Sequence, residues 1–355
     1  MGFGFTPSII IVTRHTRLEG LRNRWGTLGQ AKFRLATSRA IADAASDLES
    51  AGPKSPTSIT SISRFIGRKK VVKKASLVKA STQADFDEYI NEDSVYKGAV
   101  EKLASELMRL GLPVKTIDRS YVSNYDFGLA GIVVVIGQDG LVANVAKYVG
   151  DVPIVAVNPD PQRFDGILLP FRVDQALDAV NETLKGNSQL KQLTLAEAQL
   201  NDGQRLLAFN DFFIGAASHV SARYVLSIDS CSESQSSSGV IVSTGAGSTG
   251  WISSVFNMTS GVAKFLGNEI NAPTPMPWDL RELQWVVREP FQSRTSQVEM
   301  VAGRISDLSE LVIESLMPDQ GVIFSDGIEA DFLPFASGSV VRILVSKRFA
   351  TLVIQ

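Results

Sequence analysis

One cysteine, Cys231, and two histidines, His15 and His219, occur in 355 residues. So few of these residues exclude an intrachain disulfide framework, a cysteine-rich zinc site and a histidine-rich metal centre. Long apolar runs are lacking too. None approaches the roughly 20 residues that cross a bilayer, and Met1 to Thr6 has neither the basic start nor the apolar stretch of a secretory signal. The expectation is a protein of the reducing cytoplasm with no membrane partner. Charge of one sign is also scarce: the formal net charge is −2, which argues against nucleic acid as a partner. One basic run, Arg68, Lys69, Lys70, Lys73 and Lys74 around Val71 and Val72, reads as the solvated face of a strand or loop. The arginines near the start, Arg14, Arg17, Arg22 and Arg24, read as a solvated helix face or a phosphate contact.

What is present is ordinary for a globular chain, 44% hydrophobic and 20% charged. The length suits two domains rather than one core. Ser8 to Thr13 is a short β-branched strand. Leu18 to Leu48 reads as one long helix from its Ala, Arg and Leu content, and Ala51 to Ser63 as a loop. A helix is expected over Asp85 to Leu110, stopped by Gly111 and Pro113, then a strand over Val114 to Asp118. Gly131 to Ile136 is a continuous apolar run of the kind parallel strands carry when both faces are covered. It enters the turn Gly137-Gln138-Asp139-Gly140, then a helical pattern to Val149 and a strand over Pro153 to Val157. Strand, glycine turn, helix, strand is the βαβ unit of a Rossmann-like sheet, whose ligands sit beyond the carboxyl ends of the strands. After a helix over Val173 to Leu184, short strand-like runs divided by polar turns continue to Val345. The expected architecture is an α/β domain with a parallel sheet, residues 1–170, followed by a β-rich, sandwich-like domain, residues 171–355.

Three segments carry candidate chemistry. In Gly137-Gln138-Asp139-Gly140 the backbone can approach a ligand closely, and the turn feeds a helix N-terminus that favours phosphate. Asp139 suits either the helix N-cap or the acceptor of a substrate hydroxyl proton. In Phe209-Asn210-Asp211-Phe212, within the run Leu206 to Gly215, a polar pair breaks an otherwise apolar strand; a strand-like run is expected from Gln204 to Phe213. Asn210 both donates and accepts, Asp211 accepts, and the pair suits ribose or amide recognition as well as a turn or bulge. The third is Gly239 to Trp251. Here Gly245, Gly247 and Gly250 match Gly-x-Gly-x-x-Gly, but dinucleotide oxidoreductases need that spacing inside a βαβ unit with an acid closing the next strand. Glu269, the nearest acid, lies in a loop-like stretch. The segment reads instead as a small-residue loop whose Ser243, Thr244, Ser248 and Thr249 hold a polar ligand.

In this order the three segments resemble the NAD kinase family, with its Gly-Gly-Asp-Gly turn, Asn-Glu pair and Ser-Thr-Pro-Thr-Gly-Ser-Thr-Ala-Tyr loop. Val157-Asn158-Pro159, Ser221-Ala222-Arg223 and Phe324-Ser325-Asp326-Gly327 extend the resemblance over Gly131 to Val345. It implies transfer of the γ-phosphate of ATP to the 2′-hydroxyl of NAD with magnesium, in a homo-oligomer whose partners are small nucleotides. Asp139 would activate the hydroxyl, and Asn210 and Asp211 would hold the nicotinamide-side ribose and amide. Gly137, Gln138, Gly140, Thr244, Gly245, Ala246, Gly247, Ser248, Thr249 and Trp251 would line the nucleotide site. No protein-only metal site is implied. Departures from the family pattern leave the acceptor open. Gln138 stands for glycine, Asp211 for glutamate, Gly245 and Ala246 for Pro-Thr, and Trp251 for tyrosine. The chain also stops at Gln355, short of the segment that in the family returns to the first domain. A sugar or another hydroxyl acceptor, or a nucleotide-binding protein without turnover, stands beside the NAD reading.

Overall fold

The computed structural model describes residues 7–37, 68–271 and 273–355; the expected loop from Ala51 to Ser63 lies outside them. In chain order the elements begin with β1 (Ser8–Thr13), α1 (Arg17–Trp25), α2 over residues 28–37 and α3 (Arg68–Met108). They continue with β2 (Val114–Asp118), β3 (Ala130–Ile136), α4 (Asp139–Ala146), β4 (Ile154–Asn158), β5 (Phe171–Arg172) and α5 (Ala176–Leu184). The β-rich part follows: β6 (Gln189–Leu200), β7 (Arg205–Ala208), β8 (Asp211–Ala216), β9 (Ala222–Ile228), β10 (Cys231–Ser237) and β11 (Val240–Ser243). Helix α6 (Trp251–Phe265) precedes β12 (Glu282–Val287), β13 (Ala302–Ser306), β14 (Leu311–Ser315), β15 (Gly321–Ser325), β16 (Ile328–Pro334) and β17 (Val340–Ile354). No described helix is long and apolar enough to cross a membrane.

The chain groups into two compact units, one of residues 14–102 and one of β1 with residues 103–355. In the first, Thr16 caps α1 in a capping box with Glu19. Arg14 and Arg17 both bond the Glu92 carboxylate, at 3.1 and 2.5 Å. Burial works against that carboxylate's charge, but the two guanidiniums hold its pKa below the usual value. Arg14 and Arg17 therefore tie the start of α1 to α3, while Arg17, Arg22 and Arg24 stay exposed, as the solvated-face reading expects. The expected single helix over Leu18 to Leu48 is divided. Gly26, at φ 77°, closes α1 onto Arg22, and a new helix starts at residue 28. The basic run from Arg68 opens a helix, not a strand or loop.

In the larger unit, the expected parallel sheet is present: β2, β1, β3 and β4 run side by side in parallel. Ile132 to Ile136 of β3 are fully buried. At about 1.5–3 kcal/mol for each such side chain, this run explains why β3 lies inside the sheet. The β-rich part adds its own strands to the same sheet, in the order β10-β9-β14-β17-β4-β3-β1-β2. The expectation that the chain stops before returning is corrected here. Strand β17 lies parallel to β4, with Leu352 opposite Ile154, and pairs along its length with β6. A second, antiparallel sheet runs β13-β12-β11-β8-β15-β16. Tyr224, Phe212, Trp285 and Phe335 fill the core between the two sheets.

Candidate functional site

The polar pair Asn210-Asp211 sits where the chain changes sheets. Strand β7 pairs with β6 in the large sheet, and β8 pairs with β11 and β15 in the small one. The expected single run from Gln204 to Phe213 is therefore two strands, because residues 209 and 210 cannot follow both ladders. Their backbone groups are satisfied elsewhere. The Asp326 carboxylate accepts from the backbone N–H of Phe209, Asn210 and Asp211 at 3.1, 2.6 and 3.3 Å. On the other side Thr244 donates its hydroxyl to the Phe209 and Asn210 carbonyls, at 2.5 and 3.2 Å.

The loop after β11 packs against this crossing. A Cβ on Gly247 would collide with the Asn210 carbonyl, and one on Gly245 with that of Pro277. These two glycines answer to neighbouring backbone. Ser248 is buried and spends its hydroxyl on the Gly245 carbonyl and the Met276 N–H, at 2.7 and 3.0 Å. The loop then enters α6, a helix the sequence reading left out. Strand, glycine loop and helix do occur in order, yet β11 and β12 pair antiparallel. That geometry removes the βαβ setting an oxidoreductase fingerprint requires.

Asp139 is the first residue of α4, and Gln138 occupies the N-cap without a side-chain capping bond. The N-cap alternative for Asp139 is thereby corrected. Its carboxylate accepts from the backbone N–H of Leu168 at 2.8 Å and of Ile167 at 3.3 Å. Those donors lie on the loop after β4, which Asn158 shapes from below. The buried Asn158 amide donates to the Phe164 carbonyl, and its oxygen accepts from the Asp160 N–H, at 2.9 and 3.0 Å.

Asp139, Gly140, Asn210, Asp211, Ala246, Gly247, Thr249 and Trp251 line one cleft of about 400 Å³. Two other depressions, of about 470 and 510 Å³, are larger; convergent carboxylates and glycine turns distinguish this one. Of the remaining sequence candidates, Gly137, Gln138, Thr244, Gly245 and Ser248 stand behind the lining. Sequence reasoning left Trp278, Ile167, Leu168 and Asp326 out of the site; only Asp326, in its Asp-Gly turn, carried a readable signal.

Electrostatics mark the floor of the cleft. Asp211 is buried, and desolvation, with the neighbouring Asp326 charge, pushes its carboxyl up to about 7. Burial also raises Asp326, against the pull of Lys147 and the three backbone N–H groups. The Lys147 ammonium, itself buried, lies 3.4 Å from Asp326 and donates to Ser325 at 2.8 Å. Next to it the Tyr148 hydroxyl donates to Asp331, and burial raises its pKa. At the rim, Trp251 stacks on Phe213 at 5.6 Å with Arg288 over its ring at 5.4 Å.

No family model matches the chain. It is 30% identical over 172 residues to an NAD kinase of Laribacter hongkongensis, covering 46% of this chain and 53% of that one. It is 29% identical over 158 residues to an NAD kinase of Saccharolobus solfataricus, covering 44% and 57%. The chain thus matches just over half the length of these curated relatives. Two solved structures share the fold. The NAD kinase from Archaeoglobus fulgidus in complex with ATP has a TM-score of 0.51 at 16% identity, over 72% of this chain and 89% of that one. Yeast NADH kinase complexed with NADH has a TM-score of 0.52 at 14% identity, over 99% and 85%. In sequence over the matched part, and in its parallel sheet followed by antiparallel strands, the chain is NAD kinase-like.

Proposed function

We propose that the chain is a phosphotransferase that moves the γ-phosphate of ATP to the 2′-hydroxyl of NAD, giving NADP. The observation that carries this reading is the placement of Asp139, fixed by two backbone donors at the start of α4 and opening on the same cleft as Asn210 and Asp211. A carboxylate offers about four lone-pair sites, so two N–H donors orient Asp139 and still leave room for a hydroxyl. Asp139 takes the proton of the acceptor hydroxyl as its oxygen bonds to the γ-phosphorus. The bond from that phosphorus to the β–γ bridging oxygen breaks, and ADP leaves with the electron pair. Asn210 can donate and accept toward an amide or ribose, and Asp211, held near 7, changes between donor and acceptor close to neutrality. Relatives named as NAD kinases, and neighbours holding ATP or NADH, support this reading.

Magnesium is part of the proposal. Among the described residues no group of three or more His, Cys, Asp or Glu is placed to hold a metal. Magnesium keeps several waters and takes one or two carboxylates with the phosphates, so in this proposal it is carried on the triphosphate. Of the three carboxylates on the cleft, Asp326 is engaged by backbone N–H groups and Lys147, so Asp139 and Asp211 would hold the ion, which would neutralise phosphate charge. A homo-oligomer in the cytoplasm belongs to the same reading. The oligomer is supported by α6, which leaves Met258, Val262 and Phe265 exposed at helical spacing.

The test is incubation with NAD or NADH, ATP and magnesium, reading NADP or NADPH. Product from the wild type, lost in Asp139→Asn while nucleotide binding persists, is the expected result. No product from either dinucleotide sinks the acceptor assignment and turns the search to sugars. A second reading, a nucleotide-binding protein without turnover, draws on Gln138 in place of glycine at the phosphate turn. Binding of NAD or ATP without product, unchanged in Asp139→Asn, would favour it.

A further inference from the structure

A second depression, of about 470 Å³, lies between the β6–β7 hairpin and the middle of β17. Its construction differs from that of the cleft. The pairing of β17 with β6 loses register between Val345 and Phe349. In a regular strand, consecutive side chains point to opposite faces. Here the irregularity turns both Lys347 and Arg348 into one pocket, the re-aiming that strand bulges perform. The buried Ser346 pins it, donating to Glu197 at 3.2 Å and accepting from the Arg348 N–H at 3.1 Å.

Charge in this pocket is unbalanced. Glu197 is its one carboxylate, and it already accepts from Gln199, Arg205 and Ser346. Lys147 also lines the pocket, but its ammonium serves Asp326 and Ser325 and is not counted here. Lys347 and Arg348 are exposed, and among the described residues neither has a carboxylate partner. Two adjacent uncompensated cations held over a cavity, in a chain of net charge −2, select for an anion. Arginine's planar fork suits phosphate oxygens, and lysine adds a point charge. The remaining wall is mixed: Leu206, Leu207 and Leu344 give it an apolar strip beside Tyr148, Gln199 and the Glu197-paired Arg205. That strip suits the organic part of a small molecule, and a volume of this size favours a small molecule over a polymer.

We propose that this pocket is a second ligand site, for a small phosphorylated compound, bound through its phosphate by Lys347 and Arg348 with its carbon skeleton on the three leucines. The site does not rest on the phosphotransferase reading. Inorganic pyrophosphate is the probe for the shared phosphate chemistry, and glucose 6-phosphate against glucose tests whether an organic molecule is held there through its phosphate. Calorimetry on the full chain should find a class of pyrophosphate sites that the double variant Lys347→Ala/Arg348→Ala weakens at least about tenfold. The same class persists in Asp139→Asn and in the charge-keeping Lys347→Arg/Arg348→Lys, and weakens as salt rises. Glucose 6-phosphate should bind there and glucose should not. An unchanged thermal midpoint in the double variant separates lost binding from lost folding. Equal pyrophosphate affinity and stoichiometry in wild type and double variant would overturn the proposal. Loss of transfer in Asp139→Asn with this class retained separates its fate from that of the cleft.

Discussion

Replacing Asp211 by asparagine tests the electrostatics of the cleft floor, because it removes one charge and changes the side-chain volume little. Asp211 is 7% exposed, and its carboxyl titrates near 7 instead of 3.8 because burial and the Asp326 charge oppose ionisation. In the unfolded chain the group ionises near its ordinary value. Between the two values the folded chain holds a proton that the unfolded chain has lost, so stability falls as pH rises through about 4 to 7. Above about 7 both states are ionised and the cost is constant. At about 1.4 kcal/mol per pH unit, the ionised carboxylate costs the fold roughly 4 kcal/mol. The asparagine carries no charge at any pH. It recovers about half of that sum, roughly 2 kcal/mol, once relaxation and water entry at the cleft are allowed for. Urea unfolding of wild type and Asp211→Asn at pH 4.5, 6 and 8, followed by tryptophan fluorescence, reads this directly. The variant's advantage should be smallest at pH 4.5 and grow to its full value at pH 8. An advantage equal at pH 4.5 and 8, or a wild type more stable than the variant at pH 8, refutes the reasoning.

Asp139→Asn should lower the transfer rate by about 10²–10⁴ with little change in thermal midpoint, since the amide oxygen still accepts from Leu168; steady-state kinetics and melting curves check both. Gly247→Ala should destabilise the chain and empty the cleft, because its methyl meets the Asn210 carbonyl, whereas Gly140→Ala meets nothing within 4 Å and should fold normally. Calorimetric melting compares the two. Asp326→Ala leaves the Lys147 ammonium buried beside the more distant Asp331, 3.9 Å away, and should cost about 3–5 kcal/mol in urea unfolding. Adding Lys147→Met should restore part of that loss by removing the unpaired charge.

The parallel sheet was legible because β3 is buried on both faces and so reads as an unbroken apolar run, from Ile132 to Ile136. The turn that follows was legible because glycine beside an acid after such a strand has few other uses. Boundaries that depend on tertiary partners were not legible. Asn210 breaks an apolar run because the chain changes sheets there, and only the ladders of β7 and β8 reveal that. Helix α6 was missed because its start, Trp251-Ile252-Ser253-Ser254-Val255-Phe256, reads equally as strand. The split at Gly26 was missed because Leu and Arg favour helix on both sides of it.

The same distinction separates residues that face a ligand from residues that shape the place where one can sit. Motif order singled out the glycine loop as ligand-facing, yet Gly245, Thr244 and Ser248 spend their sterics and hydroxyls on Pro277, Asn210 and Met276. Asp326 works the same way from beyond β15, binding the three backbone N–H groups that set Asn210 and Asp211 in the cleft. A spacing pattern does not distinguish the two kinds of residue. Only burial and hydrogen-bond direction tell them apart. On that criterion the sequence candidates that line the cleft contract to Asp139, Asn210, Asp211, Ala246, Thr249 and Trp251, with Gly140 and Gly247. Three of the family departures, Asp211, Ala246 and Trp251, fall inside this smaller set. Under the proposed function, the choice of acceptor turns on those three side chains and not on the loop hydroxyls of Ser243, Thr244 and Ser248.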